Sequence, residues 1–302
     1  MTVLIQGLGS IASKHIAVLR RLCPELRIIA LRSGFSNKVI EGVESIWNLD
    51  EVRVSIDFVI ISNPTSLHFE SIQRLKNLGV PLFIEKPVLG SLVNADNLEQ
   101  ELHSLGIKTY VACNLRFHPA IIYLKEVLKD KKPLEFNVYC GSFLPHWRPS
   151  TDYRESYSSK KEFGGGVELD LIHEVDYTVY LLGMPKQVLF KHGTKISDLQ
   201  ITSNDYAHYV FDHLDTVTTV SLNYYRKHSK RSIEVVWDDD VWIVNLLNNT
   251  IHSESKGVIY NEHYDIMNTY NHQMEYFLNN FQSNSEFENN FSEAIKILKL
   301  AI

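Results

Sequence analysis

The stretch VLIQGLGSIASKHIAVLRRL, residues 3–22, changes its period at the first glycine. Val3, Leu4 and Ile5 form a continuous apolar run, as in a strand buried on both faces. Beyond the turn, Ile11, His15, Ile16, Leu19 and Leu22 recur at helical spacing. Between the two elements, Gly7, Gly9 and Ala12 spell G-x-G-x-x-A. Gly7 suits a tight turn, Gly9 lets an anion approach the backbone, and Ala12 is small enough for close helix–strand packing. The helix N-terminus adds partial positive charge at Ser10 and Ile11. Strand, glycine turn and helix in this order predict binding of a dinucleotide pyrophosphate at Gly7, Gly9, Ser10 and Ile11.

The alternation continues. Apolar strands are expected at 28–31, 58–61, 82–84 and 110–112, with helical segments between them. Such runs separated by helices predict an α/β domain with a parallel sheet covered on both faces, ending near Cys113. At the end of the second strand the sequence reads Leu31-Arg32-Ser33-Gly34. An acid there would hold a ribose 2′-hydroxyl, whereas Arg32 and Ser33 suit a 2′-phosphate, so NADP is expected, with NAD as the alternative.

From Phe136 onward, polar and apolar residues alternate, at 135–139, 186–194, 206–211, 216–222 and 233–237. This pattern predicts an open, mostly antiparallel sheet in an α+β domain. Asp238-Asp239-Asp240 falls between two strands and reads as a hairpin turn in preference to a metal site. Helices near 270–281 and 291–300 close the chain. Two domains are expected, 1–113 for the dinucleotide and 114–302 for substrate and oligomerisation.

The chain has 302 residues, 44% hydrophobic and 22% charged, with a net charge of -6. That balance argues against a nucleic-acid binder, which needs a basic face. Cys23, Cys113 and Cys140 are scattered, and thirteen histidines form no HxH or HExxH pattern, so no disulfide framework or metal site is expected. The opening MTVLIQGLGSIA lacks a basic leader, and no apolar run approaches the ~20 residues of a membrane span. A soluble, cytoplasmic protein is the expectation, with no membrane partner.

The run GGGVELDLIHEVDY, residues 164–177, is expected to start a helix near the site after a flexible glycine lead-in. At ~100° per residue, Leu171, Val175, Val179 and Leu182 share one stripe. Asp170, His173, Tyr177 and Tyr180 lie nearly opposite, facing either water or a cleft. Upstream, residues 142–163 gather Trp147, Arg148, Tyr153, Arg154, Tyr157, Lys160 and Lys161. These cations suit either a phosphate pocket or a solvated loop.

Taken together, the opening glycine turn with His15, VIISNPTSLHFESI at 59–72, FIEKP at 83–87, NLRFHPAI at 114–121 and the 164–183 helix resemble the Gfo/Idh/MocA oxidoreductase family. The motifs occur in order over most of the chain. The run at 142–166 resembles a subgroup associated with bacterial surface-polysaccharide sugars. The resemblance implies hydride transfer between nicotinamide and a sugar or cyclitol carbon, and a phosphate pocket in the 142–163 run would suit a nucleotide-activated sugar. It implies a homodimer or homotetramer formed through the C-terminal sheet. Lys86 would then stand beside the nicotinamide and the substrate hydroxyl, Glu85 at the ribose, and Ser62, Asn63, His68 and Arg148 along the cofactor. Asp170 and His173 would be the catalytic acid and imidazole. Asn114, Arg116, Tyr153 and Arg154 would join Lys86, Arg148, Asp170, His173 and Glu174 on the substrate.

The acid and imidazole stand three residues apart here, where many members have four, and Glu174 takes the usual histidine place. His173, with an ordinary pKa of ~6.5, suits proton transfer near neutrality. Lys86, starting from ~10.4, suits a fixed charge. Two other activities fit the same residues: cofactor-assisted glycoside cleavage or elimination through transient oxidation, or a non-catalytic NAD(P)-binding regulator.

Overall fold

A computed structural model describes residues 1–32, 34 and 39–302. It divides the chain into two compact units, Met1–Cys113 with Tyr270–Leu298, and Asn114–Thr269 with Lys299–Ile302.

The first unit is built on six parallel strands: β1 (Thr2–Gln6), β2 (Arg27–Leu31), β3 (Val43–Ile46), β4 (Phe58–Ile61), β5 (Leu82–Glu85) and β6 (Thr109–Ala112). Their order is β3-β2-β1-β4-β5-β6. Helices α1 (Ser10–Leu22), α2 (His68–Leu75) and α3 (Ala95–Ser104) supply crossovers. β4 and β5 are buried at every position, as a sheet covered on both faces requires. The order reverses between β1 and β4, and their carboxyl ends define the crevice where such sheets take ligands.

The domain limits differ from the sequence expectation. Residues Tyr270–Leu298 belong to the first unit, not to a unit running unbroken from 114 to 302. The cause is aromatic packing. Phe277 sits 5.2 Å from Phe58 and 5.3 Å from Phe83, ring centre to ring centre, and Phe287 sits 5.3 Å from Tyr110. Asn289 then closes the open edge of β6. Its carbonyl accepts from the Val111 N–H at 2.7 Å, and its side-chain amide donates back to the Val111 carbonyl at 2.7 Å. An uncovered strand edge is thereby satisfied.

The second unit carries α4 (Pro119–Val127), β7 (Glu135–Phe143), α5 (Val167–Asp170), α6 (His173–Leu182), β8 (Gln187–Thr194), β9 (Tyr206–Asp212), β10 (Val217–Asn223) and β11 (Tyr225–Val236). β12 (Val241–Asn245), β13 (Thr250–Ser253) and β14 (Gly257–Asn261) complete its sheet. The order is β14-β13-β12-β11-β7-β10-β9-β8, antiparallel except for the parallel pair β7–β10. β9 alternates half-buried and buried positions without a break, so its two faces differ. α5 packs against β9 and β10, and α6 against β7. Asp240 ties the turn between β11 and β12: its carboxylate accepts from Val241 N, Ser255 N, Ser253 Oγ and Trp242 Nε1. Two further helices, α7 (Met267–Asn280) and α8 (Phe291–Ala301), follow. Among the described residues, no helix is long and apolar enough to cross a membrane.

His118 caps α4. Its Nδ1 accepts from Ala120 N at 3.3 Å, and Nε2 faces the Leu246 carbonyl at 3.1 Å. Only the neutral ring with its proton on Nε2 satisfies both contacts. Burial lowers its pKa from 6.5 to about 4. Between those values the unfolded chain takes up a proton that the folded one refuses. The contribution of His118 is therefore full above pH 6.5 and is lost as pH falls toward 4. In thermal melts between pH 7 and pH 4, His118→Gln is expected to lose stability less steeply than the natural chain. Parallel slopes would exclude this account.

Candidate active site

In the first unit, the glycine turn lies at the carboxyl end of β1. Gly7 has φ +91, and a Cβ there would lie 3.2 Å from Asn63 atoms, so both conformation and space demand glycine. Gly9 caps α1 with open space around its Cα, and no side chain caps that helix end. The first turn of α1 also holds no acid. An exposed helix N-terminus reached over bare backbone is the arrangement an anion requires, so Gly7, Gly9, Ser10 and Ile11 fit a pyrophosphate.

At the end of β4, Ser62 Oγ donates to the Gln6 carbonyl at 3.1 Å and the Asn63 amide to Ser71 Oγ at 2.7 Å. His68 is buried. Its Nδ1 lies 3.0 Å from the Pro87 carbonyl, and its Nε2 lies 3.1 Å from the Asn63 carbonyl. Burial lowers its pKa, and the neutral ring, with one N–H, donates to only one of the two sides. Ser62 and His68 are thus buried against backbone carbonyls of these turns. Arg32 is also buried, its guanidinium 3.4 Å from Ser45 Oγ and over the Trp47 ring at 5.8 Å. Ser33 lies outside the described residues.

β5 ends in Glu85, followed by Lys86 and a cis peptide bond to Pro87. Glu85 is held twice: Oε1 lies 2.6 Å from His15 Nε2, and Oε2 accepts from Lys86 N at 3.2 Å. Sequence reasoning gave His15 no such role. The available signal was an imidazole inside the apolar stripe of α1, where a buried polar group needs a partner.

In the second unit, the 164–177 stretch is not one amphipathic helix. α5 ends at Asp170, and α6 starts at His173. Nearly every residue is buried: of the expected polar set, Asp170, His173 and Tyr177 are buried and Tyr180 is half-buried, while Glu174 is 0% and Asp176 1% exposed. Charges enter because cations meet them. Asp176 takes two parallel hydrogen bonds from Arg116, at 2.9 and 2.6 Å. Glu174 lies 2.7 Å from Arg231, without the alignment of a hydrogen bond, so the attraction is Coulombic. Burial raises the Glu174 pKa against the pull of Arg231. Arg116 and Glu174, both expected on substrate, are therefore engaged inside the unit. Asn114 is buried as well, its amide donating to Thr269 Oγ1 at 2.6 Å.

The glycines before α5 are not a flexible lead-in. A Cβ on Gly165 would stand 2.1 Å from the Tyr157 carbonyl and 2.6 Å from that of Ser158, so this glycine lets the 153–163 segment wrap against it. Within that segment the cations are partly neutralised. Arg154 forks onto Asp152, with contacts of 2.9 and 2.6 Å, and Lys160 lies 3.9 Å from Glu155. Tyr153 accepts from Gln200 N at 3.3 Å. Arg148 stacks over the Tyr157 ring at 5.2 Å.

Asp170 has a phenol partner that sequence reasoning did not assign. Tyr224 Oη donates to Asp170 Oδ2 at 2.6 Å, and the charge of Asp170 also bears on the phenol of Tyr157. Burial, then the charge of Asp170, raises the pKa of both phenols, so they remain protonated donors. His173 is buried at the first position of α6.

A parallel sheet of this strand order, with a glycine turn opening onto a bare helix end, defines a Rossmann-type dinucleotide-binding protein. Residues 1–113 match the profile described as an oxidoreductase family with an NAD-binding Rossmann fold. Over those residues the match is to the Gfo/Idh/MocA family. The scyllo-inositol 2-dehydrogenase (NADP(+)) IolW of Bacillus subtilis is 25% identical over 165 residues, 54% of this chain and 45% of that protein. The UDP-N-acetylglucosamine 3-dehydrogenase of Acidithiobacillus ferrooxidans is 26% identical over 221 residues, 70% of this chain and 62% of that one. The chain thus spans about half the length of the curated relatives it matches. A solved structure of UDP-N-acetylglucosamine 3-dehydrogenase GnnA from Acidithiobacillus ferrooxidans shares the fold with a TM-score of 0.79 at 19% identity, over 100% of this chain and 95% of that one. The WlbA dehydrogenase of Bordetella pertussis, solved with NADH and UDP-GlcNAcA, has a TM-score of 0.80 at 15% identity, over 98% and 93%.

Proposed function

We propose that this chain is an NADP(H)-dependent oxidoreductase that moves a hydride between nicotinamide and a carbon of a nucleotide-activated sugar. The observation that carries the reading is the end of β5, where Lys86 follows a Glu85 fixed by His15. A lysine at the carboxyl end of a parallel strand faces the ligand crevice of its sheet. The relatives named for UDP-N-acetylglucosamine and UDP-GlcNAcA support the substrate class.

When bound, the nicotinamide accepts or supplies the hydride. The chain's own residues do the rest. Gly7, Gly9, Ser10 and Ile11 hold the pyrophosphate, and Glu85 accepts from the ribose. Lys86 holds its ammonium against the reacting oxygen and favours negative charge there. His173 takes the hydroxyl proton on oxidation and returns it on reduction. Arg148 and Asp170 complete the substrate side. Arg32, with no acid at the end of β2, favours the 2′-phosphate of NADP.

The test is a fluorescence titration with NADPH and NADH, followed by a panel of UDP- and other nucleotide sugars read at the nicotinamide absorbance. NADPH is expected to bind tighter, and at least one nucleotide sugar to change the absorbance. Equal or tighter NADH binding overturns the cofactor preference. Silence from the whole panel excludes nucleotide sugars and points to free sugars or cyclitols. Turnover with retained cofactor and no net absorbance change would instead support cleavage or elimination through transient oxidation.

A further inference from the structure

Asp170 is the last residue of a four-residue helix, and Leu171 directly after it leaves helical geometry at φ -101 and ψ 31. So short an element cannot by itself fix a side chain, because its backbone closes few internal hydrogen bonds. The other acid of α5 shows how the problem is met: Glu168 Oε1 accepts from Asn204 Nδ2 at 2.7 Å. Asp170 is tethered by Tyr224 in the same way.

Tyr224 is itself rigid. Its N–H donates to the Asp205 carbonyl at 2.9 Å, and its carbonyl accepts from Leu144 N at 2.8 Å. Its ring is fully buried and meets Trp147 edge-on, with centroids 5.2 Å apart at 88°. Trp147 is pinned in turn, Nε1 donating to Ser142 Oγ at 2.9 Å. A second phenol, Tyr157, lies in the segment wrapped around Gly165, and the charge of Asp170 bears on it. The end of the sheet thus delivers a rigid O–H to the carboxylate.

We propose that Tyr224 is a positioning residue: it fixes the Asp170 carboxylate in one orientation, so that Asp170 acts as a fixed acceptor and another group carries the proton. The proposal rests on the oxidoreductase reading above. Each donated O–H occupies a carboxylate lone pair that a substrate proton would otherwise use. A carboxylate held at 2.6 Å by a rigid, buried phenol is suited to orienting a substrate hydroxyl or an imidazole, tasks that demand fixed geometry.

Two measurements test it. The first needs no substrate. In an alkaline titration followed by tyrosinate absorbance, Asp170→Asn is expected to bring buried tyrosines into ionisation at lower pH than in the natural chain, because the charge opposing them is gone. An unchanged titration would mean that the phenols do not answer to Asp170, and the proposal fails whatever the activity. The second uses UDP-N-acetylglucosamine with NADP as the probe pair. Tyr224→Phe keeps the ring and removes one oxygen; kcat is expected to fall on the order of tenfold with KM within about twofold. An unchanged kcat, with or without a lower melting temperature, leaves Tyr224 purely structural and overturns the proposal. If the natural chain turns over neither this pair nor the wider panel, the nucleotide-sugar reading fails, while the tyrosinate titration still decides whether the tether exists.

Discussion

Lys86→Ala is expected to lower kcat by about 10²–10⁴-fold, the range seen when one positioned acid–base or charge-stabilising group is removed. NADPH binding should survive, because the groups assigned to the pyrophosphate sit on the β1–α1 turn and do not involve the lysine side chain. The backbone survives too. β5 is paired on both sides, with β4 and β6, and the hydrogen bond from residue 86 to Glu85 uses the main-chain N–H. Truncation therefore removes an ammonium and leaves the strand pairing in place. Lys86→Arg should rescue poorly, since a broad planar guanidinium does not replace a compact point charge at one oxygen. Stopped-flow measurement of the first turnover, alongside the fluorescence titration, separates chemistry from binding. Turnover within tenfold of the natural chain would remove Lys86 from the mechanism. Lost NADPH binding would mean that the lysine serves the cofactor and not the reacting oxygen.

What was legible in the sequence is what neighbouring residues decide. The β1 strand, its glycine turn and α1 occupy one short stretch, and each answers to its own period, so a parallel sheet could be read directly. The alternation in β9 likewise announced a sheet with unlike faces. What failed was decided by residues far along the chain. The aromatic set Phe277, Phe281 and Phe287 marks a buried surface, but nothing local says that its partners are Phe58, Phe83 and Tyr110. The stretch at 164–177 hides its burial for the same reason. Nothing local says that Asp176 and Glu174 meet Arg116 and Arg231. The basic run at 148–161 was weighed by its cations, although Asp152 and Glu155 stand within it and bind two of them. Lys86, at a strand end in a recognisable motif, needed no distant partner to be noticed. Tyr224 did, because its meaning lies wholly in reaching Asp170 across 54 positions.

Arg116 offers the clearest contest between a substrate contact and a structural one. Its guanidinium and the Asp176 carboxylate are only 8% and 2% exposed at the side chain, and they meet in a two-pronged contact. The ring of Tyr180 lies 5.0 Å beneath the same guanidinium. Removing one member of a buried pair strands the other charge without water, so Arg116→Met should cost about 3–5 kcal/mol. In a chain of this size that corresponds to a fall in melting temperature on the order of 10 °C. The double variant Arg116→Met/Asp176→Leu should recover most of the loss, because two apolar side chains of similar volume need no solvation. Calorimetry on the single and double variants decides it. A substrate-binding Arg116 predicts the opposite pattern: a raised KM, a melting temperature near that of the natural chain, and no rescue by the second substitution. The fork onto Asp176 leaves the guanidinium's strongest donors committed inside the unit, which is why the stability loss is the expected result.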